Sequence, residues 1–150
     1  MNENREDKLE DGCFPNTKIS TSPMLVNAVV TPDGTRLESL HRHDYKSYQD
    51  QNGETYVLDG GLDYIRKSVN KVPARDACVY ADDAHELIRA AFKWGTRGKN
   101  GDEPISYVPI ARMTNEHIEN ILTTQHHIRP YVREVFKNEL KYRNGITEAI

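Results

Sequence analysis

The sequence predicts an α+β protein, with an N-terminal antiparallel β-sheet built from hairpins and α-helices in the C-terminal half. Three observations predict it. Two turn signals, Pro32-Asp33-Gly34 and Asp50-Gln51-Asn52-Gly53, each lie between short runs with strand character. After Asp83 the apolar residues take up a helical period. Thr114 and Pro130 then stand at the starts of two further helical runs.

Residues 25–31 are short and rich in β-branched side chains, which suits a strand. Pro32 pre-sets φ and Gly34 accepts positive φ, so the chain turns there and returns through residues 35–40. The Asn52-Gly53 pair turns a second hairpin with arms at 45–49 and 54–58. Gly60-Gly61 closes that strand, 62–69 is expected to form a further one, and 78–80 a short one. Asp83 is the expected cap of a helix whose apolar face is Ala84, Leu87, Ile88, Ala91 and Phe92. Gly95 is its expected C-terminal stop. A polar loop follows, then a strand at 105–110 that Pro109 either marks as an edge or ends. Ile118, Ile121 and Leu122 share one face behind Thr114. Val132, Val135, Phe136 and Leu140 form the stripe of the last helix.

The 150 residues carry 20 Lys plus Arg against 23 Asp plus Glu, a formal net charge of −3. A protein that coats long nucleic acid would be basic, so this chain is not expected to bind long DNA or RNA. No apolar run of about 18 residues is present, so no membrane span or membrane partner is expected. Cys13 and Cys78 have neither metal spacing nor the look of a disulfide framework, which fits a reducing cytoplasm. Residues 1–12 carry −3 and residues 1–23 carry −2, with few apolar groups. They are expected to be a disordered arm before a single nucleotide-binding domain at 24–150.

Three features could carry chemistry. The densest is His41-Arg42-His43-Asp44-Tyr45, read as a strand with both histidines on one face. It suits an anionic, base-bearing ligand, a metal with further ligands, or a polar edge held by Asp44. The second is the run from Trp94 through Arg97, Lys99 and Asn100 to Asp102, with three glycines. It could bring backbone N–H groups to a phosphate, or be a solvated turn; it is not a Walker loop. The third is Arg129, Arg133, Lys137 and Lys141, a basic stripe that Glu134 and Glu139 only partly neutralise. It is either a solvated face or a phosphate site. His126 and His127 could meet terminal carbonyls of the preceding helix. No nucleophile elbow and no His-Glu-x-x-His is present, so no catalytic residue, metal ligand or cofactor is assigned.

Four runs together resemble a phage family. They are Asn27 to Thr35, His41 to Tyr45, Asp59-Gly60-Gly61-Leu62-Asp63-Tyr64, and Phe92-Lys93-Trp94-Gly95 leading to Asn100-Gly101-Asp102. The chain from Met24 to Arg143 is similar to the sponge proteins of the first Thoeris anti-defence family. The resemblance implies a homo-oligomer, based on a dimer and extending to a hexamer. It implies binding of glycocyclic ADP-ribose signals between subunits without cleavage, and of cyclic di- or trinucleotides at a second site. Arg129, Arg133, Trp94, Asn100 and Arg97 are the expected main-site residues. His41, Arg42, His43 and Tyr45 are the expected second site. The alternatives are a metal-dependent phosphoesterase acting on signalling nucleotides, using His41, His43 and Asp44 with Asp59 or Asp63, and a host-takeover module that grips protein or nucleic acid through the basic helix.

Overall fold

In the computed structural model, residues 21–149 are described, with side chains through residue 145, so residues 1–20 of the expected N-terminal arm lie outside the described residues. They form two compact units that meet in sequence between Tyr80 and Ala81. This is close to where the apolar period changes. The order is that of an α+β protein, with antiparallel sheets first and helices last.

In the N-terminal unit, β1 (Met24–Val30) is the central strand of its sheet, and its five inner residues are all buried. It pairs antiparallel with β2 (Arg36–Ser39) on one side. On the other it pairs with two short strands, β6 (Arg75–Asp76) and β7 (Val79–Tyr80), with a bulge opposite β7. The second sheet has the order β3 (Lys46–Gln49), β4 (Thr55–Asp59), β5 (Arg66–Lys67). Val29 and Leu37 from the first sheet and Tyr56 and Leu58 from the second form one apolar cluster.

Both hairpins turn in the same way. Thr31 N–H donates to Thr35 O and Gly34 N–H to Thr31 O; Asp50 N–H donates to Glu54 O and Gly53 N–H to Asp50 O. Each loop thus has three residues, with the glycine at positive φ (+92° for Gly34, +81° for Gly53). Asn52-Gly53 is therefore not the two-residue turn that the dipeptide favours. The Asp50 carboxylate accepts from the Asn52 and Glu54 N–H groups and stabilises the longer loop.

The expected strand at 62–69 shrinks to β5, because residues 60–64 form a tight turn first. β6 had no sequence signal beyond its length of two residues.

In the C-terminal unit, α1 (His85–Ala91) starts after Ala84, which makes no side-chain cap. Asp83 is thus not the helix cap. Gly95 is not the helix stop either, since the helix ends at Ala91 and Gly95 lies inside β8 (Lys93–Thr96). A Cβ on Gly95 would stand 3.1 Å from the Tyr107 ring, so the glycine admits a cross-strand aromatic. β8 pairs antiparallel with β9 (Ser106–Pro109). A 3-10 turn (Ile110–Arg112) leads to α2 (Asn115–Thr124), where Thr114 Oγ1 accepts from His117 N–H at 3.1 Å. α3 (Pro130–Ala149) begins at Pro130, as its missing N–H favours. Val132, Val135 and Phe136 are buried, while Leu140 is only half-buried. The fully buried residue of that turn is Glu139.

Candidate functional site: a basic turn on a glycine corner

In the N-terminal unit, three of the sequence runs singled out above converge. Asn27 on β1 donates from Nδ2 to Gly61 O at 2.9 Å. Ser39 at the end of β2 accepts from Gly61 N–H at 2.8 Å and donates to Asp44 O at 2.7 Å. The turn after β4 therefore sits against the turn between β2 and β3. Glycine is required at both corner positions. Gly60 and Gly61 have φ of +107° and +55°. A Cβ on Gly61 would lie 2.4 Å from the His41 carbonyl carbon, and one on Gly60 would lie 1.9 Å from Tyr64 O.

Polar groups fix this corner from beneath. Asn27, Ser39 and Asp59 are all buried. The Asp59 carboxylate pairs with Arg66 at 2.8 Å. Asn27 Oδ1 is buried and accepts no hydrogen bond among the described residues. Asp44 holds the turn by accepting from Leu40 N–H at 2.7 Å and from Lys46 Nζ at 2.8 Å. Burial works to raise the Asp44 carboxyl. Hydrogen bonds from Lys46 and Leu40, with the charges of Lys46 and His41, outweigh it and lower it.

His41, Arg42 and His43 lie on the turn itself, not on a strand. The same-face relation expected of alternate strand residues therefore does not apply. All three are exposed, and Tyr45 beside them is 55% exposed. The result is a cationic and aromatic surface on a rigid base, able to donate hydrogen bonds to an anion and offer a ring to a flat group. Among the described residues no three His, Cys, Asp or Glu side chains are grouped to hold a metal ion.

The residues expected to form the main site lie in the C-terminal unit, on β8, on the loop after it and at the start of α3. The Trp94 ring is half-buried and meets Phe136 edge-on at 5.2 Å, so it serves packing within the unit. Arg97 and Asn100 are exposed on the β8–β9 loop. That loop is not shaped as a phosphate cradle. A Cβ on Gly98 would fall 2.4 Å from the Glu103 carboxylate, so an acid already lies against the glycine. Arg129 is exposed and donates to the Tyr131 hydroxyl at 2.9 Å.

Arg133 does not project with the basic stripe. It donates from Nη1 to Leu122 O and from Nη2 to Gln125 O, both at 2.9 Å. It thereby caps the C-terminus of α2, where four carbonyls lack intrahelical partners. This is the role expected of His126 and His127, which are exposed. Glu139 also leaves the stripe, because it turns inward. Its carboxylate accepts from Arg89 twice (2.9 and 2.8 Å), from Arg143 at 2.6 Å, and meets His85 Nε2 at 2.9 Å. The Arg89 guanidinium also covers the Tyr142 ring at 4.6 Å. The signal for this network was two i, i+4 pairs, His85/Arg89 and Glu139/Arg143, on different helices.

Comparison with family models, curated proteins and solved structures finds no match to this chain.

Proposed function

We propose that the protein binds a small cyclic nucleotide signal and holds it without cleaving it. The observation that carries this reading is the His41-Arg42-His43 turn, exposed beside Tyr45 and seated on the Gly60-Gly61 corner. The rigid base lowers the entropy lost when a ligand orders the surface. Arginine forks and imidazole N–H groups suit a pyrophosphate, and an exposed tyrosine suits a base. A binder of this kind requires no activated water and no nucleophile. The resemblance to the first Thoeris anti-defence family supplies the ligand classes, glycocyclic ADP-ribose and cyclic di- and trinucleotides; it gave only the second class to this turn, and we assign the first here as well because Arg133 and Trp94 are engaged within their own unit.

On this proposal the protein acts in the cytoplasm as a phage anti-defence sponge. Two or more copies enclose the ligand, which adds buried area that one small surface lacks. Among the described residues no helix is long and apolar enough to cross a membrane.

The test is a thermal-shift panel of cyclic dinucleotides, cyclic trinucleotides and glycocyclic ADP-ribose isomers, read on the wild type and on Arg42→Ala and His43→Ala. Ligands that bind only the folded state raise its apparent stability. Both variants should lose the shift while melting normally without ligand. A shift that survives in both variants would remove the ligand from this turn.

A further inference from the structure

We propose, resting on that reading of the His41-Arg42-His43 turn, that Tyr64 and Arg66 form a second wall of the same site, with Arg66 taking a phosphate and Tyr64 a base. Along β4 the side chains of Tyr56 and Leu58 enter the apolar cluster, so Thr55, Val57 and Asp59 take the opposite face. Asp59 stands opposite Arg66 of β5. On the other side of β4, Lys46 stands opposite Leu58, which brings the preceding residue, Tyr45, beside Asp59. Tyr45, Asp59 and Arg66 thus make one row on one face of the sheet. At the spacing of neighbouring strands, the backbones of Tyr45 and Arg66 are about 10 Å apart.

Burial distinguishes this row from an ordinary polar face. Thr55 on the same face is exposed and Val57 half-buried, as alternation gives on a solvent side. Asp59 is only 4% exposed. Two groups converge on its Oδ2 atom, Arg66 Nη2 at 2.8 Å and the Tyr64 hydroxyl at 3.5 Å. The Tyr64 ring also packs over Gly60, where a Cβ would stand 2.6 Å from its Cδ2 atom. The His41 backbone packs on the next residue, Gly61. Adjacent glycines therefore hold the turn on one side of the corner and Tyr64 on the other, and Tyr45 closes the row between them.

Both side chains are anchored at one end and open at the other. Asp59 engages one guanidinium nitrogen, and the Arg66 side chain stays 66% exposed. Its remaining N–H groups can form the fork that a phosphate accepts. Tyr64 is 41% exposed and Tyr45 55%, so two rings flank the row and can stack on a base. One buried carboxylate orders Arg66 and Tyr64 before a ligand arrives, which limits the entropy lost on binding.

The test titrates cyclic di-adenylate and glycocyclic ADP-ribose, each by calorimetry, into the full chain and its variants. Removing Arg66 alone would strand a buried carboxylate, so Asp59→Asn and Arg66→Gln are combined, which replaces the ion pair by two amides. Whichever probe binds the wild type should bind this variant at least about tenfold more weakly. Arg66→Lys keeps the pair with Asp59 but loses the fork, and should weaken binding severalfold without changing the melting temperature. Tyr64→Leu should weaken binding about tenfold, while Tyr64→Phe keeps the ring and should match the wild type. Binding that is lost in Arg42→Ala but unchanged in the Arg66 variants and in Tyr64→Leu would overturn this second wall and leave the reading of the turn standing. Binding of neither probe to the wild type would overturn both. Equal loss in Tyr64→Phe and Tyr64→Leu, with a lowered melting temperature in each, would overturn the stacking role of Tyr64.

Discussion

Replacing Glu139 by glutamine keeps the shape of the side chain and removes the charge that the Arg89 and Arg143 guanidinium groups and the His85 ring surround. Burial alone pushes the Glu139 carboxyl up; hydrogen bonds from Arg89, Arg143 and His85, with the Arg89 charge, outweigh it and hold it at about 2. A carboxyl moved there from 4.5 contributes about 3 kcal/mol of stability at neutral pH. Removing one partner of a buried ion pair costs about 3–5 kcal/mol, which agrees at the lower end. The lower end is appropriate because Arg89 and Arg143 keep 24% and 21% of their side-chain exposure and can rehydrate. Trp94 is the single tryptophan and packs on Phe136 of α3, so its fluorescence reports on this unit. In urea, Glu139→Gln should lower the midpoint by about 2 M, taking a slope typical of small domains. The pH dependence has a definite sign. The folded value lies below the ordinary one, so the contribution is complete above about 4.5 and is lost as pH falls toward about 2. The variant should show no such loss from this group. A midpoint shift under about 0.5 M at neutral pH, or an acid profile that still follows the wild type, would refute the assignment.

Three further outcomes follow from the geometry. Gly61→Ala should destabilise the N-terminal unit by about 2 kcal/mol or more, since it combines positive φ with a clash against the His41 backbone; Gly53→Ala meets nothing within 4 Å and should cost only about 1 kcal/mol. Amide exchange in β1 distinguishes the two. Arg133→Ala should cost about 1–2 kcal/mol by uncapping α2, read as faster amide exchange at its last turn, and Lys at 133 should restore little because it lacks the fork. Burial pushes the Cys78 thiol up to about 11, so mass spectrometry should find it unalkylated by iodoacetamide at pH 8 in the native protein and modified in denaturant.

Much of the fold was legible because local chemistry and tertiary packing agree there. The β-branched run at 25–31 and the two glycine turns specify β1 to β4 without help from distant residues. Thr114 and Pro130 mark helix starts through their own side chains. Where packing overrides local preference, the sequence misleads. Gly95 reads as a helix stop but is small to admit the Tyr107 ring. Asp83 reads as a cap, yet α1 begins one residue further on without one.

The candidate site was half legible for the same reason. The residues of the His41-Arg42-His43 turn were evident from composition. Their geometry was not, because it depends on Gly61 approaching from another turn. Arg133 and Glu139 both looked like parts of a surface stripe. Helical spacing says which residues share a face, and it does not say which of them fold back to carbonyls or turn inward to distant cations.

The central claim is sequestration without chemistry. Its most direct test is to equilibrate the protein with a glycocyclic ADP-ribose isomer, remove unbound ligand, denature the complex by heat and identify what is released by mass. One unaltered ligand should be released in fixed ratio to the protein, and none from Arg42→Ala. Release of a cleaved product, or capture that is indifferent to Arg42, would contradict it.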